Sequence, residues 1–334
     1  FMRNMTAYLS KFLTNGLSYK EWYLFKDNNI IELSTNNTIP LGHIATISPG
    51  IQTGCDKVSN SHIKNITDLG IRIGDGIFVI SDTEKENLCL TDYEKKFVKP
   101  FYKNSDIFKF GYKQQKKEWI IITNKIDNID TCPNLKQHLL KYKQILDARY
   151  RNFALINADK EGKWWYLYGY RPNTNFDGEK IVLPYRAKTN KFAYSDDEFF
   201  SVMDIFYLTI KNQDFSLKYM LSLLNSKLIY YWLEHNCKKK GNMFELIQKP
   251  LSPMPIRKVD QNNKRALEII VDKILELTQS DDYLENQEKQ DAVKKYENQI
   301  DLMVYKLYDL TYSDVKTIDP NFSMSEQEYN NYKL

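Results

Sequence analysis

The stretch Ser48-Pro49-Gly50-Ile51-Gln52-Thr53-Gly54-Cys55-Asp56-Lys57 decides how the rest of this chain reads. Two glycines and a proline bracket a polar turn that closes on a lysine. Glycine reaches backbone conformations that other residues avoid, and such a turn can aim amide N–H groups and the Thr53 hydroxyl at an anion. The loop points to a protein that holds a polyanion rather than one that does chemistry on a small molecule.

Working outward, short β-rich runs bounded by turn residues appear at Ile44–Ile47, Gly76–Ile80, Trp119–Ile122, Lys180–Leu183 and Asp204–Ile210. Apolar residues at helical spacing predict helices over Leu135–Tyr150, with Pro133 near the start, and over Leu217–Leu233. The central part therefore reads as a mixed, sheet-based domain with two helices laid on it. Ser252-Pro-Met-Pro255 breaks the chain. Lys264 to Leu310 then reads as a helical hairpin with a polar bend at Ser280-Asp-Asp282. The expected class is α+β, in three parts: a leading helix and linker (1–38), the central domain (39–258), and a helical hairpin with a tail (259–334).

Bulk properties narrow the function. The chain has 334 residues, 42% of them apolar, enough for a substantial core. No run of 18 apolar residues occurs, so no membrane span is expected. The opening Phe1-Met-Arg-Asn lacks a signal-peptide profile and looks like a cut from a longer polypeptide. Cys55, Cys89, Cys132 and Cys237 have no CxxC spacing, which suits reduced thiols in a cytoplasmic protein. The overall charge of +4 hides an asymmetry: residues 99–258 carry a net +12 and residues 260–334 a net −7. A field of that sign over one domain attracts polyanions, although a lysine-rich solvated surface gives the same count. No dinucleotide fingerprint, phosphate-binding P-loop or HExxH motif is present. His43, His62, His138 and His235 are far apart in sequence, and Asp196-Asp197-Glu198 reads as a solvated turn rather than a metal site. No catalytic, cofactor-binding or metal-ligating residues are assigned.

Four loops mix basic, amide and aromatic residues. They are the Gly54 loop with Gln52, Thr53 and Lys57; Lys99–Asp106 with Lys103 and Asn104; Pro184–Phe192 with Arg186, Lys188, Asn190 and Lys191; and Cys237–Phe244 with Lys238, Lys239 and Lys240. Lysine and arginine neutralise phosphates, while Arg, Asn and Gln can also pair with purine edges. If Ala187 and Thr189 point inward, strand alternation puts Arg186, Lys188 and Asn190 on the opposite face.

The ordered set Gly50–Lys57, Val98–Ile107, Trp165-Tyr166, Lys180–Ala193, Leu223–Leu228, Leu251–Ile256 and Ile300–Thr311 resembles the TaqI-like C-terminal specificity domain. That domain belongs to bacterial adenine-N6 DNA methyltransferases and fused type II restriction–modification enzymes. One departure is Val58-Ser59-Asn60, where the family often has an aromatic residue. The resemblance implies double-stranded DNA as partner. It also implies a separate catalytic domain, in cis or trans, which binds S-adenosylmethionine and holds a flipped adenine at an Asn-Pro-Pro motif absent from this sequence. Residues 1–38 would then be the end of that catalytic part. By the same resemblance Gln52, Thr53 and Lys57 touch DNA backbone or groove, and Lys103 and Asn104 lie near phosphates. Arg186, Lys188, Asn190 and Lys191 read bases, while Lys238–Lys240 hold phosphates. An alternative is a specificity subunit or interaction module that docks a separate methyltransferase subunit.

Overall fold

The computed structural model describes residues 37–64, 70–149 and 162–334. The leading helix expected before residue 37 lies outside the described residues. Twelve strands are named here: β1 (Thr38–Pro40), β2 (Ala45–Pro49), β3 (Val79–Ser81), β4 (Val98–Phe101), β5 (Glu118–Ile121), β6 (Lys180–Pro184), β7 (Arg186–Ala187), β8 (Ala193–Ser195), β9 (Ile205–Ile210), β10 (Lys239–Lys240), β11 (Met243–Glu245) and β12 (Pro255–Arg257). They form not one sheet but four: β2-β9-β6-β8, β3-β5-β4, β10-β11-β7 and β1-β12. Every ladder between these strands is antiparallel. Single parallel bridges such as Phe101–Phe200 stitch the loops to the ladders.

β6 reads Lys-Ile-Val-Leu-Pro and is buried along its whole length, as expected of a strand covered on both faces. Its lysine is tolerated because Lys180 Nζ donates to the carbonyls of Gly178 and Asp197. β1 and β12 pair Thr38 with Arg257 and Ile39 with Ile256, so the two ends of the central region are zipped together.

Besides short helical turns of four to six residues before β5 and ahead of β12, eight helices are named here: α1 (Pro133–Lys141), α2 (Lys143–Ala148), α3 (Leu217–Asn225), α4 (Lys227–Asn236), α5 (Gln261–Thr278), α6 (Gln287–Leu307), α7 (Tyr312–Ile318) and α8 (Glu326–Asn331). Each of the two helices expected in the central region is divided. The first breaks at Tyr142 and the second at Ser226, whose ψ of 157° is extended. Ser226 breaks the helix because its hydroxyl accepts from Ile229 N and starts a new one. α5 and α6 form the expected hairpin. It is anchored to the central region through Asp301 on α6, whose Oδ1 accepts from Lys227 N at 2.8 Å and so caps α4. No described helix is long and apolar enough to cross a membrane.

Two predictions follow from this packing. A Cβ at Gly50 would stand 2.4 Å from the Val202 carbonyl oxygen and 2.7 Å from that of Ser201. Gly50→Ala should therefore lower unfolding stability by about 2–3 kcal/mol, read from the urea midpoint. The second concerns Asp301, whose carboxyl is pushed up to about 6 by burial, against the pull of the Lys227 amide and charge. A carboxyl raised in the folded state contributes fully below its unfolded value near 3.8 and loses that contribution as pH climbs through the folded value. Relative to Asp301→Asn, which keeps the cap without the charge, the wild-type chain should lose about 2–3 kcal/mol between pH 4 and pH 7. Urea titrations at both pH values measure this.

Candidate nucleic-acid interface

The Gly54 loop is held from inside. The amides of Gly50, Ile51 and Gln52 donate to the carbonyls of Ile205, Ser201 and Gly169 at 3.0, 2.9 and 3.0 Å. Arg149 Nη1 donates to the Thr53 carbonyl at 2.8 Å, and Gly54 takes φ +82° to let the chain turn. Thr53 is 3% exposed and its hydroxyl donates to Asp56. These three amides and the Thr53 hydroxyl are therefore spent within the protein, which corrects the reading of Thr53 as a DNA contact. Gln52, half-buried, is paired through its main chain with Gly169 in both directions.

The loop's far end is different. Lys57 Nζ lies 2.6 Å from Glu118 Oε1, and Lys103 Nζ lies 2.5 Å from Glu118 Oε2. Lys103 lies two residues beyond the end of β4, and Glu118 opens the neighbouring β5, opposite Phe101. Burial of Glu118 works against ionisation, but the hydrogen bonds from Lys103 and Lys57 outweigh it and hold the carboxyl below its usual range.

A second such arrangement lies on β10-β11-β7. β10 and β11 are joined by the two-residue turn Gly241-Asn242, with Gly241 at φ +61°, which suits the twist of a tight hairpin. Glu245 on β11 stands directly opposite Arg186 on β7. Its Oε1 accepts from Arg186 Nη2 at 3.0 Å, and its Oε2 lies 2.9 Å from Lys238 Nζ. These bonds, that from Lys238 foremost, hold the Glu245 carboxyl below its usual range. The Arg186 guanidinium lies over the Tyr185 ring, 4.4 Å from its centroid.

Asn104 joins the two arrangements. Its side-chain amide donates to the Arg186 carbonyl at 3.4 Å, and its own carbonyl accepts from Lys191 Nζ at 3.3 Å. Lys57, Lys103, Asn104, Arg186, Lys191 and Lys238 are thus brought into one connected group from four separate loops. Lys239 and Lys240 are exposed on the hairpin beside Lys238, and Lys188 is exposed two residues after Arg186.

Asn190 is the clear exception. It is 2% exposed, and its amide donates to the carbonyls of Leu224 at 2.9 Å and Ser226 at 2.8 Å. Strand alternation fails because β7 ends at Ala187: Thr189 turns outward and Asn190 inward. The reading of Asn190 as a base contact is corrected to a structural one. Sequence reasoning missed Glu118 and Glu245, because carboxylates argue against a phosphate surface until register places them between cations. Among the described residues no group of three His, Cys, Asp or Glu side chains is placed to hold a metal ion. In the Asp196–Glu198 turn, Glu198 pairs with Lys99.

Residues 134–256 match the TaqI-like C-terminal specificity domain family. Over 196 residues the chain is 30% identical to the type II methyltransferase M.HincII of Haemophilus influenzae, across 56% of this chain and 37% of that protein. Over 255 residues it is 26% identical to the type II methyltransferase M.HindII of Haemophilus influenzae strain KW20/Rd, across 74% of this chain and 43% of that protein. The chain therefore spans less than half the length of either relative. Its fold is shared with the Type IIL restriction-modification enzyme MmeI, solved in complex with DNA. The TM-score is 0.59 at 13% identity, over 87% of this chain and 36% of that one.

The corrected role of Asn190 is testable. Asn190→Ala leaves two buried carbonyls without their donor and should cost about 1–3 kcal/mol of unfolding stability. Lys188→Ala, on the exposed side of the same loop, should stay within about 0.5 kcal/mol of wild type in the same melt.

Proposed function

We propose, from the match of residues 134–256 to the TaqI-like C-terminal specificity domain family, that this chain recognises a specific double-stranded DNA sequence. It does so as part of an adenine-N6 DNA methyltransferase or a type II restriction–modification enzyme. The observation that carries the reading is the convergence of Lys57, Lys103, Arg186 and Lys238 from four loops onto two carboxylates, with Asn104 linking them. Such a constellation, tied to short antiparallel strands, offers a cationic surface whose spacing is fixed before DNA arrives.

In this reading Lys57, Lys103 and Lys238–Lys240 meet phosphates, and Arg186 with Lys188 reaches base edges. Lys191 supports them by fixing Asn104. The target adenine is flipped by a catalytic domain in cis or trans, to which this chain presents the duplex. S-adenosylmethionine would supply the methyl group there. No transfer step is assigned to the described residues.

Selection of bound duplexes from a random pool by the isolated chain tests the reading: one short consensus should emerge. Arg186→Ala should weaken binding to that consensus by about 1–3 kcal/mol and relax one base position. Lys239→Ala should weaken all duplexes alike and flatten the log–log salt slope by about one unit. Absence of duplex affinity, or methyl transfer to DNA by the isolated chain, would overturn the assignment.

A further inference from the structure

Recognition gives work to the cations and none to the two carboxylates lying between them. Those carboxylates share one geometry. Glu118 spreads its oxygens between Lys57 and Lys103, and Glu245 spreads its oxygens between Arg186 and Lys238. In each triad the acid is the buried member. The Glu118 and Glu245 side chains are 15% and 6% exposed, against 32% and 52% for Lys57 and Lys103, and 28% and 63% for Arg186 and Lys238. The cations therefore keep an outer side open to solvent while their inner side rests on the carboxylate.

A backbone phosphate offers what each carboxylate offers, namely two oxygens sharing one negative charge at a spacing that two cationic donors can span. We propose that the two carboxylates stand in for DNA in the unbound protein: Glu118 holds Lys57 and Lys103 in place of a backbone phosphate, and Glu245 holds Lys238 in place of a phosphate and Arg186 in place of a base-edge acceptor, each competing with the incoming duplex for its cations. This rests on the duplex-DNA reading above and adds a specificity-determining role to it. Each triad presents a net charge of one rather than two, which weakens the sequence-independent, counterion-driven part of binding. A duplex that also satisfies base contacts pays the displacement more readily than one that does not, so discrimination rises.

Fluorescence anisotropy over a salt series, with a random-sequence duplex and the selected duplex, tests the proposal on wild type, Glu118→Gln, Glu245→Gln and Glu118→Asp. Each glutamine variant should bind random-sequence duplex about three- to tenfold more tightly at low salt. The log–log salt slope should steepen by about one unit, and the ratio of selected to random affinity should fall. Glu118→Asp keeps the charge and should keep the wild-type slope, an outcome a merely steric role for Glu118 does not predict. Glu118→Gln serves as the decisive variant should the more buried Glu245→Gln fail to melt cooperatively. Glutamine variants that fold and keep the wild-type slope, or bind both duplexes more weakly, overturn the proposal. A wild-type chain with no duplex affinity instead brings down the recognition reading itself.

Discussion

The constraint on which the rest depends is the complete burial of β6. Each of its five residues is inside, so each face must be covered and each polar group paired. β8 and β9 supply the ladder partners, and β9 in turn aligns β2 from Ala45 to Pro49. The two segments of interest are the continuations of β2 and β6. β2 runs out into the Gly54 loop, and β6 runs out through Tyr185 into Arg186. A strand that cannot shift register without burying the wrong residues fixes where its loops begin. Both loops thus inherit their position from a core that has nothing to do with binding.

Charge counting along the sequence overstates what the surface presents. Of the net +12 over residues 99–258, a part is answered by acids outside that span: Lys109 pairs with Glu297, Lys218 with Asp272 and Lys227 with Asp319. Glu118 meets Lys57 across 61 positions, and Glu245 meets Arg186 across 59. Ion pairs whose cation stays open to solvent contribute little to stability, of order 0–1 kcal/mol each. Their worth here is geometric: they set the spacing and direction of cationic heads that would otherwise sample many rotamers.

The fold was legible where burial and periodicity act locally. Five of the strands and the hairpin of α5 and α6 follow directly from apolar spacing. The broken helices were not, because Leu135–Tyr150 and Leu217–Leu233 keep helical periodicity through their breaks, while the breaks come from one residue's capping or backbone. β7, β10 and β11 are two or three residues long, too short for any pattern to reveal. The basic loops were legible as a set from composition. What composition could not supply was direction: it placed Asn190 outward by assuming that β7 continues, and it credited Thr53 with a hydroxyl already used by Asp56. It also passed over Glu118 and Glu245, which acquire meaning only through pairings some 60 positions apart.

The junction between α3 and α4 draws the two halves of the structure together. From one side, Asn190 donates to the carbonyls of Leu224 and Ser226, while Asn225 bonds both the amide and the carbonyl of Phe192. From the other side, Asp301 of the hairpin caps Lys227 N, and Asp319 takes Lys227 Nζ at 2.7 Å. A single break in a helix is therefore clamped by the loop that carries Arg186 and by the acidic C-terminal section. An unbroken helix from 217 to 236 would keep the Leu224 carbonyl in its own ladder and withdraw the Lys227 amide from Asp301. The loop and the hairpin would lose their shared anchor together. The hairpin, acidic and remote in sequence from the Arg186 loop, thereby holds that loop in place without itself presenting a cationic surface.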